Sequence, residues 1–217
     1  MINSYRQNDI NDSIKLKPHI LQRLEPVVLD EFSNGDFHQV NMRDIAQKAG
    51  VGYASIFRHF KKKELLLFWF VDKWLSELIL PLTDHLLGLE DIKEKIRKII
   101  WLQLEFYNRN PKVGRIIMIT VPLNIWMQDK TYRQTRLTEV MLKVLTDGRA
   151  QGELDPQLPT TLMLDLIFGM IRRIFTMWIY RGQKGDLTDL AGLMFEICWR
   201  AIVNPGREMS KKKQEAI

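Results

Sequence analysis

The chain has 217 residues, with 32 Lys and Arg against 26 Asp and Glu, a formal net charge of +6 and one cysteine, Cys198. That length accommodates one small and one larger domain around a buried core, and a lone cysteine excludes an internal disulfide or a multi-cysteine metal site. Met1–Ile20 is polar rather than a secretory signal, and Leu65–Val71 and Ile116–Met127 are too short, or are interrupted by Pro122, to span a membrane, so a cytoplasmic chain with no membrane partner is expected.

Helical spacing begins with Ile20, Leu21, Leu24, Val28 and Phe32, which predict a first helix ending near Gly35. Pro18 suits its first turn, whereas Pro26 predicts a kink or a restart. The stretch Asn41–Phe60 then predicts two short helices about a glycine turn. Asn41 is a good N-cap, and Asp44 completes a capping-box-like pair. Ile45, Ala46 and Ala49 share one apolar face, and Gly50 stands where a helix ends in a left-handed residue. Val51 plugs the turn, and Ile56 and Phe60, four residues apart, anchor the second helix. Tyr53, Ala54, Ser55 and Arg58 are left facing outward.

By spacing alone this could be an ordinary surface hairpin. The cations that follow favour a different reading. Lys61, Lys62 and Lys63 crowd the start of a third helix, where the positive end of the helix dipole makes them unfavourable. A bound phosphate would reverse that sign. A helix-turn-helix that offers its second helix to a DNA major groove, with lysines on the phosphates, accounts for both features. The positive excess of the chain lies at its termini, densest over Arg58–Lys63, which favours a local polyanion contact over a uniform basic coat.

A long helix is predicted over Lys62–Leu80, enough to carry a DNA-binding head away from a second domain, with Pro81 ending it. Further helices follow over Asp91–Arg109, around Val113–Thr120 up to Pro122, over Asp129–Gln151 up to Gly152, and over Pro159–Tyr180 and Asp186–Val203. No stretch alternates long enough to build a sheet, so the fold class is all-α. Residues 17–78 are assigned to a helix-turn-helix domain (motif 41–60), residues 79–204 to a helical effector-binding and dimerisation domain, and residues 205–217 to a disordered basic tail.

Pro159–Tyr180 is too apolar for a one-sided surface helix, so a second copy of the chain or its own domain must cover it twice. Asp165, Leu166, Gly169 and Arg172, with Met194 and Cys198 of the last helix, are the candidate dimer residues. Gly169 would admit a close helix, and the charges need partners or water. Cys198 itself reads as a small core residue. Trp69, Trp101, Tyr107, Trp126, Met170, Arg173, Phe175 and Trp178 suit either an adaptable hydrophobic pocket or plain core.

The motif region resembles the DNA-binding domain of the tetracycline-repressor (TetR) family of transcriptional regulators. The residues that carry the resemblance are Ile45-Ala46, Ala49-Gly50-Val51, Phe57, Arg58, His59-Phe60 and Lys63-Glu64-Leu65, within Leu24–Leu67. The resemblance implies a homodimer that binds a palindromic DNA operator and is released by a small apolar or amphipathic effector held in the second domain, with no cofactor. It places Arg43, Gly52, Tyr53, Ala54, Ser55, Phe57, Arg58, His59 and Lys63 at the DNA. Of these, Tyr53, Ser55 and Ala54 face base edges, and Arg43, Arg58, His59 and Lys63 face phosphates. The chain departs from the family in having Gly52 where Ser or Thr usually caps the recognition helix, Phe57 where Tyr is usual, Ala54 where Gly is common, and an extra residue in the Asn34–Phe37 turn.

Two other readings are open: an architectural DNA-binding dimer without an effector, and an all-helical enzyme. His19, His38, His59 and His85 are scattered without metal-ligand spacing, and no nucleotide-binding or hydrolase motif is present, so an enzyme is disfavoured.

Overall fold

The computed structural model describes residues 16–128 and 134–206. Its elements are α1 (Pro18–Asn34), α2 (Met42–Ala49), α3 (Tyr53–Phe60), α4 (Lys63–Leu87), α5 (Ile92–Arg109), α6 (Pro111–Arg115), a π-helical turn (Ile116–Thr120), α7 (Leu123–Gln128), α8 (Gln134–Ala150), α9 (Thr160–Tyr180), a 3-10 turn (Leu187–Leu190) and α10 (Ala191–Ile202). The fold class is all-α. Among the described residues the sole β-type pairing is a bridge between Leu154 and Val203, closed by Asp155 N–H to Ile202 O at 2.8 Å and Asn204 N–H to Glu153 O at 2.9 Å.

Two compact units emerge. Residues 16–75 and 112–128 form the first, residues 76–111 and 134–206 the second. The segment 112–128 therefore packs with the helix-turn-helix rather than with the helices that surround it in sequence, where the expected boundary had placed it. Thr120 Oγ1 donates to Phe32 O at 2.9 Å, satisfying a carbonyl at the end of α1, and Lys112 pairs with Asp30 at 2.6 Å. Glu25 ties α1 to α4 by accepting from Trp74 Nε1 at 2.9 Å and pairing with Lys73. Leu24, Val28 and Phe32 of α1, Ile45 of α2, Ile56 of α3 and Leu66 and Phe70 of α4 are each fully buried and form the core of this unit.

The restart at Pro26 and the stop at Pro81 do not occur. α1 runs without a restart through Pro26, and α4 continues through Pro81 to Leu87. Both prolines are exposed, so the carbonyl each leaves without an intrahelical donor can face water. Beyond Pro81 the helix is retained by burial of Leu82 and Leu86 and by hydrogen bonds from Thr83 Oγ1 to Ile79 O at 2.8 Å and His85 Nδ1 to Pro81 O at 2.7 Å. Pro18 does occupy the first turn of α1, and Gly35 follows its end.

In the second unit α5 is central, packed by α8, α9, α10 and the 3-10 turn. Asp91 caps it by accepting from Glu94 N at 2.9 Å, and Ile92, Ile96, Ile99, Ile100 and Leu104 are fully buried. The segment before Pro122 ends at Thr120 as expected, and α7 is a further helix that the sequence did not suggest; Pro122 supplies its first turn, with Ile125 N–H bonded to Pro122 O at 3.0 Å. The start expected for α8 at Asp129, and the basic tail beyond 206, lie outside the described residues.

Candidate nucleic-acid interface and effector region

The helix-turn-helix is built as its sequence requires. Asn41 Oδ1 accepts from Arg43 N at 2.9 Å and caps α2. Gly50 closes α2 at φ 60°, with Gly50 N–H to Gln47 O at 3.0 Å and Val51 N–H to Ala46 O at 2.9 Å. A side chain there would be strained by that backbone, and its Cβ would fall 2.3 Å from the Arg23 guanidinium. Gly52 is the N-cap of α3 and supplies no side-chain bond, so the missing hydroxyl leaves this cap weak.

Ile56 and Phe60 hold α3 inward at 0 % and 2 % exposure, which turns Tyr53, Ala54, Phe57 and Arg58 to solvent, with Ser55 and His59 half-buried. The outward surface is a row of alternating character. Arg43 lies 5.5 Å from the Tyr53 ring, Tyr53 stacks on Phe57 at 5.6 Å, and Lys61 lies 5.6 Å from the Phe57 ring. Two apolar rings are thus held between two cations, a surface suited to base edges flanked by phosphates.

Lys63 departs from its expected role. Its ammonium donates to Phe37 O at 2.6 Å, His38 O at 3.0 Å and Val40 O at 3.1 Å, and lies 4.7 Å from the Phe37 ring. All three donors of the ammonium are engaged by the turn between α1 and α2, so Lys63 braces the domain. Lys61 and Lys62 are the exposed cations of the run. Lys61 ends α3 at φ 58°, a strained backbone for a non-glycine residue, and that turn aims its side chain back along Phe57.

The expected pocket residues divide between the units. Trp69 and Trp126 belong to the first, where Trp69 meets Phe60 and Trp126 meets Phe68. In the second, Tyr107, Phe175 and Trp178 form a chain of ring contacts at 5.6 and 5.9 Å, and Trp178 Nε1 donates to Gly185 O at 3.0 Å. Burial pushes the Tyr107 phenol well above its usual range, which keeps it neutral. Met170 is half-buried, with Cys198 Sγ 3.8 Å from its sulfur. Arg173 does not join this cluster: it is exposed on the outer side of α9. Trp101 is also outside it, 36 % exposed, lining a groove of about 420 Å³ with Lys98, Arg97, His85 and Gly192.

The dimer candidates divide too. Asp165, Gly169 and Arg172 are exposed and Leu166 is half-buried, so the charges of α9 are hydrated rather than buried. Met194 and Cys198 are buried in the chain's own core, at 2 % and 0 %; Leu193 and Ile197, one position earlier in each case, are 63 % and 48 % exposed.

With this arrangement in view, the comparisons are decisive. Bacterial regulatory proteins of the tetR family match residues 29–68, and the C-terminal region of YsiA-like proteins matches residues 71–201. The chain belongs to the tetR family. The fatty acid metabolism regulator protein of Bacillus subtilis (strain 168) is 24 % identical over 190 residues, 87 % of this chain and 97 % of that protein. Among solved structures, the fatty acid degradation regulator FadR of Bacillus halodurans shares the fold at TM-score 0.68 and 20 % identity, over 86 % of this chain and 97 % of its own. FadR of B. subtilis in complex with stearoyl-CoA does so at TM-score 0.67 and 21 % identity, over 82 % and 97 %.

As a tetR-family member the chain is a DNA-binding transcriptional regulator. None of the helices among the described residues is long and apolar enough to cross a membrane. Three features of this tetR-family chain were missed in reading its sequence. Lys61, read with Lys62 and Lys63 as one cationic run, is not singled out from it by the sequence reading, although it stands four residues after Phe57 and so shares its face. The outward pair Leu193 and Ile197 stands one position from Met194 and Cys198, and no local signal in this apolar stretch separates the two pairs. Gln103, at 2 % exposure in the middle of α5, carries a polar side chain at a position where the helical pattern asks for an apolar one.

Proposed function

We propose that the protein represses transcription from an inverted-repeat operator, which it binds as a homodimer, and that a long-chain acyl thioester releases it. The observation that carries the first part is the outward row Arg43, Tyr53, Phe57 and Lys61 on and beside α3, whose inner side is fixed by Ile56 and Phe60. Two such rows, related by a twofold axis, would read half-sites about one DNA turn apart.

The homodimer rests on the outer faces of α9 and α10. Leu162, Leu193 and Ile197 are 53 %, 63 % and 48 % exposed, and beyond the nearby backbone of α9 itself no described residue lies within 4 Å of where a Cβ on Gly169 would point. A second copy packing helix to helix on that side would cover these apolar groups and use the space at Gly169. The effector reading rests on the likeness to FadR of B. subtilis, which is in complex with stearoyl-CoA. The aromatic chain from Tyr107 to Trp178 provides an apolar lining for an acyl chain.

Selection of bound duplexes from a random library at near-physiological salt, with and without stearoyl-CoA, tests the whole reading. An enriched inverted repeat whose recovery falls when stearoyl-CoA is added is expected. No enrichment would overturn DNA recognition; enrichment indifferent to stearoyl-CoA would overturn the effector.

A further inference from the structure

The buried face of α5 carries a side chain that its packing does not explain. Gln103 is 2 % exposed, and its Nε2 meets no acceptor from any described residue. Ile99 and Ile100, one turn before it on the same face, are fully buried, and Tyr107, one turn after it, is 2 % exposed. The Tyr107 ring meets Phe175 of α9 at 5.6 Å. An amide donor enclosed in such surroundings loses its hydrogen bonds to water and gains none from the protein, so it weakens the empty fold. Leucine or methionine at this position would fill similar volume without that loss. A buried donor without a partner in the fold is completed by a group from outside the chain, a water or a ligand atom.

We propose that Gln103 Nε2 donates to the carbonyl oxygen of the acyl thioester, so that this residue distinguishes an acyl ligand from an alkyl one and sets where the thioester comes to rest. The assignment rests on the effector reading above. An acyl chain is methylene along its length and has one strong acceptor, at the carbonyl. In the enclosed part of the ligand that oxygen is the group able to satisfy an amide donor, while the methylenes lie against Tyr107 and Phe175. With a ligand that lacks an acceptor the donor stays as it is in the empty protein, so the preference between the two ligands is the worth of this one hydrogen bond.

The test uses the full-length protein and two ligands, stearoyl-CoA and its S-octadecyl thioether, which has a methylene in place of the carbonyl. By titration calorimetry the wild-type protein should bind the thioester roughly threefold to tenfold more tightly than the thioether, the range one neutral hydrogen bond supplies. In Gln103→Met the preference should shrink to less than about twofold, while the ligand-free variant melts at the same temperature as wild type or higher. Equal wild-type affinity for the two ligands overturns the assignment without the variant and leaves the effector reading standing. A Gln103→Met protein that retains the preference, or that melts lower when empty, overturns it as well, the latter because the amide is then structural. Failure of wild type to bind either ligand overturns the effector reading and this assignment with it.

Discussion

Lys63 Nζ lies 2.6 Å from the carbonyl oxygen of Phe37, across 26 positions of sequence, and the carbonyls of His38 and Val40 complete its shell. The bond joins the first turn of α4 to the connection between α1 and α2. It gives the third lysine of the run a structural reason that needs no nucleic acid.

Lys63→Ala should therefore lower the stability of the helix-turn-helix unit by about 1–3 kcal/mol, since three carbonyls lose a charged donor. Urea denaturation measures the loss. Below the unfolding range, the dependence of DNA affinity on salt should keep the wild-type slope; a shallower slope would return Lys63 to the phosphates.

Lys61 has the opposite expectation. Lys61→Ala should weaken every duplex alike and reduce the salt slope by roughly one unit, because one phosphate contact is removed. Lys61→Gly removes the same charge but relaxes the backbone at φ 58°, so it should be more stable than Lys61→Ala by about 1 kcal/mol. Equal stability of the two variants would place no strain at that residue.

Tyr53→Ala should alter which sequences are preferred, changing discrimination at the base positions it faces by about 1–3 kcal/mol each. Competition between an operator and point variants of it reads this directly. Uniform weakening would instead assign Tyr53 to the backbone of the duplex.

On α10, neighbouring positions should behave oppositely. Leu193→Glu should dissociate the dimer in sedimentation equilibrium, since Leu193 is 63 % exposed on the apolar outer face. Met194→Ala, at 2 % exposure, should leave association intact and lower stability by about 2–5 kcal/mol through the cavity it creates.

Cys198 is buried, and desolvation pushes its thiol up to about 11 from 9.0. The folded state holds the proton more tightly than the unfolded state, so this group's contribution to stability is complete below pH 9 and is lost as pH rises through about 11. At pH 8 a thiol reagent should react with the native protein slowly and with the urea-unfolded chain at once. Rapid native reaction would contradict the burial.

Much of the local structure was legible without coordinates, because it depends on residues close in sequence. The Asn41 cap, the left-handed Gly50 and the inward pair Ile56 and Phe60 follow from backbone geometry and a 3.6-residue period, and they turn Tyr53 and Phe57 outward. The two prolines misled because a proline breaks a helix when its lost bond is buried and is tolerated when that carbonyl can face water; exposure is a tertiary property. For Met194 and Cys198 against Leu193 and Ile197, composition is nearly the same and only the neighbouring α5 settles which pair faces inward.

The residue types and their spacing were sufficient to determine an all-α chain with a helix-turn-helix. Tertiary structure alone decided what each polar group meets: Lys63 met the carbonyl of a residue 26 positions away, Lys61 was laid over the Phe57 ring, and Gln103 Nε2 was enclosed without an acceptor among the described residues. The physical reason is range. Helix signals act over a few residues, whereas hydrogen-bond satisfaction depends on whichever groups the fold brings within 3 Å or so.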